Sequence, residues 1–131
     1  MLIATDTLRF SNTVKHEYEP ALGFCRESVT ANEASVKTYA IGTVLGKVTA
    51  TGKYKVAVAT ATDGSEVAAA VVVEDKAVAA TTDTKVLALV RGPAIVGKAA
   101  LVLDASFDLQ AEKDAVYAAL AAKGILVNDQ F

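Results

Sequence analysis

From Tyr39 onward, short apolar runs alternate with turn residues, the pattern of short strands joined by tight connections. The run 41–50, Ile-Gly-Thr-Val-Leu-Gly-Lys-Val-Thr-Ala, is rich in β-branched residues and leads into the turn Ala50-Thr51-Gly52-Lys53. Residues 53–60 then alternate, with Tyr54, Val56 and Val58 on one face and Lys53, Lys55 and Ala57 on the other. Together the two runs predict a hairpin with one half-buried face. Asp63-Gly64 marks the next turn. Residues 66–73 predict another strand, with Val67, Val71 and Val73 on one face, and 79–84 read as a polar connection closed by Lys85. Val86-Leu87-Ala88-Leu89-Val90 is apolar on both faces. Such a strand is covered on both sides, by a helix, a second sheet or another subunit. Arg91-Gly92-Pro93 ends it, since Pro has no ladder N–H. Residues 94–96 and 99–103 predict two more short β segments.

The spacing then predicts a helix over 109–122. Leu109, Ala115, Val116, Ala119 and Leu120 form one face; Gln110, Lys113, Asp114, Tyr117 and Ala121 lie opposite. Asp108 is placed to cap it, and Glu112 sits where the positive end of the helix dipole favours an acid. Small alanines let this helix lie close on a sheet. Lys123-Gly124 is a stop signal, and 125–127 read as a last short strand. No segment repeats at a period of 20–50 residues, which excludes a solenoid.

Residues 1–36 have another texture. Leu8, Phe10, Val14, Tyr18, Leu22, Phe24 and Val29 are scattered at a spacing that fits neither a helical stripe nor a long strand. Two of the four phenylalanines lie here, so the segment is more than a solvating tail. It reads as an extended arm, or equally as a loop and short strand on the domain's own surface. The expected organisation is an arm over 1–36 and a domain over 37–131. The expected fold class is α+β and β-rich: a small compact domain of short strands with a helix near the C-terminus, preceded by an extended N-terminal arm.

Composition narrows the function. At 131 residues the chain favours one domain, and it can bury a core without disulfides or metal staples. Hydrophobic residues make up 53%, mostly Ala and Val, with 6% aromatic and no Trp. A net charge of −2 argues against a dedicated nucleic-acid binder. A single Cys excludes an internal disulfide. No apolar run reaches the roughly 18 residues that span a bilayer. Met1-Leu2-Ile3-Ala4-Thr5-Asp6 lacks a basic signal-peptide n-region. The expectation is a soluble product of a reducing cytoplasm, with no membrane partner.

Candidate chemistry is sparse. His16 and Cys25 are the only His and Cys, and both lie in the least regular part of the chain. A nucleophile pair needs rigid contact, so a surface His and a partly buried Cys is the better reading. One of each does not make a structural zinc site. Glu17/Glu19 and Glu74/Asp75 are neighbouring carboxylates with no partner to set them around a substrate. Residues 92–99, Gly-Pro-Ala-Ile-Val-Gly-Lys-Ala, keep the spacing of a phosphate-binding loop. Ala99, however, stands where a Mg²⁺-binding hydroxyl is required, and strand is expected after it instead of helix. Gly42 and Gly46 lack dinucleotide-loop spacing and mark a bulge or bend. No catalytic residue, cofactor or metal is expected. The pattern suits a binding or structural role, with the arm able to add a strand to a partner's sheet edge.

Several motifs occur in a set order. They are Gly42-Thr43-Val44-Leu45-Gly46-Lys47-Val48-Thr49, Thr51-Gly52-Lys53-Tyr54, Asp63-Gly64-Ser65, and Ala68-Ala69-Ala70-Val71-Val72-Val73-Glu74-Asp75. Val90-Arg91-Gly92-Pro93-Ala94 follows, then Ala119-Leu120 through Gly124-Ile125. This order, over 38–127, resembles the phage lambda head decoration protein D family, the capsid-stabilising proteins of tailed phages. Tyr18-Glu19-Pro20 through Cys25-Arg26-Glu27 and Val29-Thr30 are similar to the arm of some members. The resemblance implies a compact mixed α/β domain with little regular sheet. It implies a homotrimer at three-fold and quasi-three-fold sites on the outer surface of the expanded icosahedral head, within the virion. There the arm orders on the major capsid protein and pairs with shell strands, clamping the shell against packaged DNA. No cofactor, active site or direct nucleic-acid contact is implied.

On this reading the capsid-binding anchors are Phe10, Val14, Tyr18, Pro20, Leu22 and Phe24, with packing on the chain's own domain as the other reading. The doubly apolar strands, or Leu101 and Leu103, are candidates for the trimer contact. The alternative function is a trimeric β-rich structural or ligand-binding domain of another viral assembly, such as a tail or fibre component. A cofactor-free enzyme would need acids converging with Arg91 or Tyr54 in a pocket.

Overall fold

A computed structural model describes residues 13–128. In chain order the strands are Val14–Glu17 (β1), Arg26–Ala31 (β2), Lys37–Tyr39 (β3), Val44–Lys47 (β4), Tyr54–Val56 (β5), Ala68–Val72 (β6), Lys76–Val78 (β7), Thr84–Leu89 (β8), Ala94–Gly97 (β9) and Ile125–Asn128 (β10). Gln110–Ala122 forms the helix α1. Five strands close into a barrel in the order β2-β5-β4-β6-β8. A three-stranded sheet, β1-β9-β10, lies beside it, with β1 antiparallel and β10 parallel to β9. β3 and β7 form a separate antiparallel pair.

Alternation along the barrel strands sends side chains into two cores. Val29 and Ala31 of β2, Leu45 of β4, Ala70 and Val72 of β6, and Val86 and Ala88 of β8 fill the barrel, joined by Tyr39 and Val78. Val44, Val71 and Leu89, pointing the other way, pack with Val96, Phe107, Val116, Leu120 and Ile125. Every residue of β6 is therefore buried. The doubly apolar run at 86–90 is covered by the barrel interior on one side and by the helix-and-sheet core on the other, in line with its composition. Each Val or Leu so buried contributes about 1.5–3 kcal/mol.

The hairpin expected at 41–60 forms between β4 and β5, with Leu45 opposite Val56 and Lys47 opposite Tyr54. Its turn is closed by Val48 N–H on Lys53 O at 2.8 Å and Gly52 N–H on Val48 O at 2.8 Å, with Gly52 at φ +71°. The first strand is shorter than the β-branched run, because the chain turns at Gly42 (φ +99°), where a side chain would strike Ala100 O. The bulge expected from the glycines falls between Leu45 and Gly46. Val67 is exposed, so the strand expected at 66–73 starts only at Ala68.

Other expectations are corrected. The apolar segment 99–103 is not a strand. Lys98–Ala100 form a 3-10 turn, and Val102 makes one bridge to Thr43. That bridge satisfies its backbone through Val102 N–H on Gly42 O and Val44 N–H on Val102 O, leaving no further rung to extend. Asp108 does not cap α1. The N-cap is Leu109, whose N–H is taken by the Glu112 carboxylate at 3.2 Å. Leu109 and Ala115 are exposed, and the buried stripe narrows to Val116 and Leu120. Gly124, at φ +86°, ends the helix as its sequence signal indicates. A barrel and a three-stranded sheet are also more regular sheet than the family resemblance implies.

The segment 1–36 divides. Residues 1–12 lie outside the described residues, β1 is a strand of the small sheet, and β2 is a strand of the barrel. Of the two readings open from sequence, residues 14–17 and 26–31 follow the one in which the segment packs on the domain itself. Only Val29 and Ala31 of β2 point inward, too few positions for a periodic signal.

Candidate binding surface

The loop between β1 and β2 carries three exposed apolar side chains, those of Tyr18, Leu22 and Phe24. Leu22 is 80% exposed, and Tyr18 and Phe24 are about half exposed. The Tyr18 and Phe24 rings meet edge to face, 5.4 Å between centroids. The chain reaches this conformation through local turn chemistry. Pro20–Leu22 form a 3-10 turn, Leu22 N–H bonds Glu19 O at 3.0 Å, and Gly23 at φ +66° reverses the backbone. Arg26 N–H on Gly23 O at 3.1 Å then opens β2.

The body grips this loop. Tyr18 N–H donates to Pro93 O at 2.8 Å. The fully buried Cys25 points its thiol at Tyr18 O (3.6 Å) and Pro93 O (3.5 Å). Arg91 holds its guanidinium 5.8 Å from the Phe24 ring centroid, donates to Phe24 O, and pairs with Glu27 at 2.6 Å. At the base, Arg26 Nε lies 3.0 Å from each oxygen of the buried Glu17 carboxylate. The hydrogen bond that Arg26 donates to Glu17 outweighs the burial of the guanidinium and raises the Arg26 pKa. A loop tied at four points presents its apolar side chains with little conformational entropy left to lose on binding.

The sequence-derived anchors separate accordingly. Tyr18 and Phe24 are brought together, and Leu22 faces solvent on the same loop. Pro20 opens the 3-10 turn between them. Val14 is 7% exposed and packs into the helix-and-sheet core beside Val96, so it fixes β1 to the body. Phe10 lies outside the described residues. Arg91, which sequence marks only as a strand terminator, is the clamp on Phe24. Its partners are 64 and 67 residues away in the chain, so no local pattern announces it.

The remaining chemistry has structural uses. His16 is exposed on β1 while Cys25 is enclosed. The Glu74 carboxylate accepts Leu87 N–H at 3.3 Å and that of Asp75 accepts Ile41 N–H at 3.0 Å. Residues 92–99 contain the whole of β9 and run into the three-residue 3-10 turn Lys98–Ala100, too short to aim a helix N-terminus at a phosphate. Arg91 and Glu27 form a solvent-exposed pair. The Tyr54 phenol is held above its ordinary pKa chiefly by burial, and the Lys47 ammonium lies 5.9 Å from its ring. Leu101 and Leu103 are half-buried against the domain's own core. Among the described residues, no three His, Cys, Asp or Glu side chains gather as metal ligands. No helix there is long and apolar enough to cross a membrane.

A family model described as bacteriophage lambda head decoration protein D matches residues 5–125. No curated protein matches the chain.

Proposed function

Because the chain belongs to the bacteriophage lambda head decoration protein D family, a family of structural capsid proteins and not of enzymes, we propose that it binds the expanded icosahedral head as a trimer at three-fold sites and stabilises the shell against packaged DNA. Its partner on this reading is the major capsid protein, and its place is the outer surface of the virion. The role itself is phage capsid decoration.

The observation that carries the finer reading is the tethered loop bearing Tyr18, Leu22 and Phe24. An exposed aromatic and aliphatic cluster, held rigid and flanked by a cation, is the composition of a protein-contact anchor. Phe10 is the further anchor within the family match. One such patch binds modestly. Three patches on one trimer make the later contacts intramolecular, so avidity for the assembled shell exceeds affinity for a free capsid subunit. The stabilising effect is then mass action: a ligand that binds only the expanded lattice shifts the balance toward it.

The test is titration of the protein onto expanded and unexpanded heads that lack it, reading bound copies by sedimentation and shell survival on heating. Saturable binding to expanded heads with a raised disruption temperature is expected. Equal binding to unexpanded heads, or no gain in shell survival, defeats the reading.

A further inference from the structure

Asp63-Gly64 is the one place in the chain where an aspartate or asparagine precedes a glycine. Such a pair carries a chemistry of its own. The glycine nitrogen attacks the side-chain carboxyl carbon, the carboxyl hydroxyl leaves as water, and a succinimide ring closes. Water then opens the ring at either carbonyl. One opening restores aspartate; the other leaves isoaspartate, whose main chain runs through the former side chain and is one methylene longer. One water is lost and one regained, and nothing is oxidised or reduced. The reaction needs access for water, a neutral carboxyl, since a carboxylate is a poor electrophile, and a peptide group free to turn its nitrogen onto that carbon.

Water has access, because Asp63 is exposed. The other two requirements are withheld. The carboxylate accepts the Ser65 hydroxyl at 2.5 Å and the Ser65 N–H at 3.0 Å, and the Lys55 ammonium lies 3.5 Å away. These bonds, that of the Ser65 hydroxyl foremost, favour the ionised form and hold the pKa down to about 2. The peptide group between Asp63 and Gly64 is bonded at both ends. Thr49 N–H donates to Asp63 O at 2.9 Å, and Gly64 N–H donates to Glu66 Oε2 at 2.9 Å. Gly64 is also hemmed in, since a side chain there would fall 3.0 Å from Lys47 O and 3.1 Å from Thr49 N. The product would not fit the turn either. Ser65 O lies 2.0 Å from where a side chain on Gly46 would begin, so an extra methylene before Ser65 would displace it from its seat on β4.

We propose that Asp63–Gly64 is the chain's site of spontaneous isoaspartate formation and that the folded turn holds it shut, with Ser65 on the carboxylate and Thr49 and Glu66 on the peptide group. The reaction proceeds when the turn opens, so its rate reads the population of the open turn. This does not rest on the decoration reading.

The test incubates the full chain folded in buffer and unfolded in urea, at one mildly acidic pH and temperature, beside folded Ser65→Ala. Isoaspartate is read at residue 63 by peptide mapping and by labelling with an isoaspartyl methyltransferase. The unfolded chain is expected to accumulate it at residue 63 ahead of its other aspartates, the folded wild type at least about tenfold more slowly, and S65A in between. Equal rates in folded and unfolded wild type overturn the proposal. So does an unfolded chain in which residue 63 reacts no faster than the other aspartates. Folded S65A as slow as wild type overturns the part given to Ser65. The comparison of folded with unfolded wild type needs no variant, so it decides the proposal even if S65A fails to fold.

Discussion

The buried carboxylate of Glu17, at the end of β1, is bridged by the Arg26 guanidinium, at the start of β2, with Nε 3.0 Å from each oxygen. The pair closes the base of the candidate binding loop and joins the small sheet to the barrel. Removing one partner of such a pair leaves the other charge poorly solvated. Arg26 keeps about a quarter of its side chain in water, so the full buried-pair penalty does not apply. Glu17→Ala is expected to lower stability by about 1–3 kcal/mol, and Glu17→Gln by less, since an amide still accepts one bond. Urea unfolding checks both; an unchanged midpoint for E17A would show that the bridge does not hold the loop.

Arg91 invites the opposite expectation. Its pair with Glu27 is exposed on both sides, so Arg91→Ala should change global stability by under about 1 kcal/mol. Yet its guanidinium braces the Phe24 ring and carbonyl. Loss of that brace frees the loop and should weaken head binding several-fold at nearly constant melting temperature. Arg91→Lys keeps the charge but not the planar fork, and should bind between the two. A fall in melting temperature matching the fall in binding would place Arg91 in the fold alone.

A second buried acid pins the barrel to the β3/β7 pair. Glu33, 3% exposed, takes hydrogen bonds at Oε2 from the Tyr39 hydroxyl and from Val56 N–H at 2.8 Å. Tyr39→Phe removes one donor from an enclosed carboxylate and should cost about 1–3 kcal/mol. Burial first, then the hydrogen bond to Glu33 and its charge, push the Tyr39 phenol far above its ordinary value. The unfolded chain, with an ordinary phenol near pH 10, then releases this proton first. The contribution of Tyr39 is therefore complete below about pH 10 and declines as pH rises beyond it. Ultraviolet titration should show one tyrosine ionising only as the fold is lost, and Y39F should lack that step. Reversible ionisation of all tyrosines in the folded protein would contradict this.

The elements legible in the sequence are those whose cause is local. Gly52, Gly64 and Gly124 mark turns because each takes a positive φ. The run at 86–90 declares two covered faces because both its odd and even positions are apolar. Barrel closure is not local. It depends on β2 meeting β8 from Arg26–Leu89 to Ala31–Thr84 and touching β5 only at Ala31–Tyr54. β7 has a single buried residue, Val78, too little for a pattern. At the binding surface, Tyr18, Leu22 and Phe24 stand out as apolar residues without periodicity. The exposure of Leu126 is not legible, because Ile125-Leu126-Val127 is uniformly apolar and only the packing of α1 decides which face is buried.

The turn at Asp63 gives a pH-dependent expectation of the opposite sense. The Asp63 carboxylate takes hydrogen bonds from the Ser65 hydroxyl at 2.5 Å and the Ser65 N–H at 3.0 Å. These, the side-chain bond foremost, hold its pKa down to about 2. A depressed folded value means that the stabilisation is present above the ordinary carboxylate pKa and is lost as pH falls through the folded one. Ser65 is itself fully buried, and its carbonyl lies where a side chain on Gly46 would fall, at 2.0 Å. The turn is thus wedged against the bulge of β4. Ser65→Ala should raise the Asp63 pKa toward the ordinary range, seen by carboxyl-carbon NMR titration, and should move acid unfolding to higher pH. Gly46→Ala forces backbone against backbone and should destabilise by about 1–3 kcal/mol at all pH values. An Asp63 titration unchanged in S65A would mean that the nearby Lys55, 3.5 Å from the carboxylate, sets its charge instead.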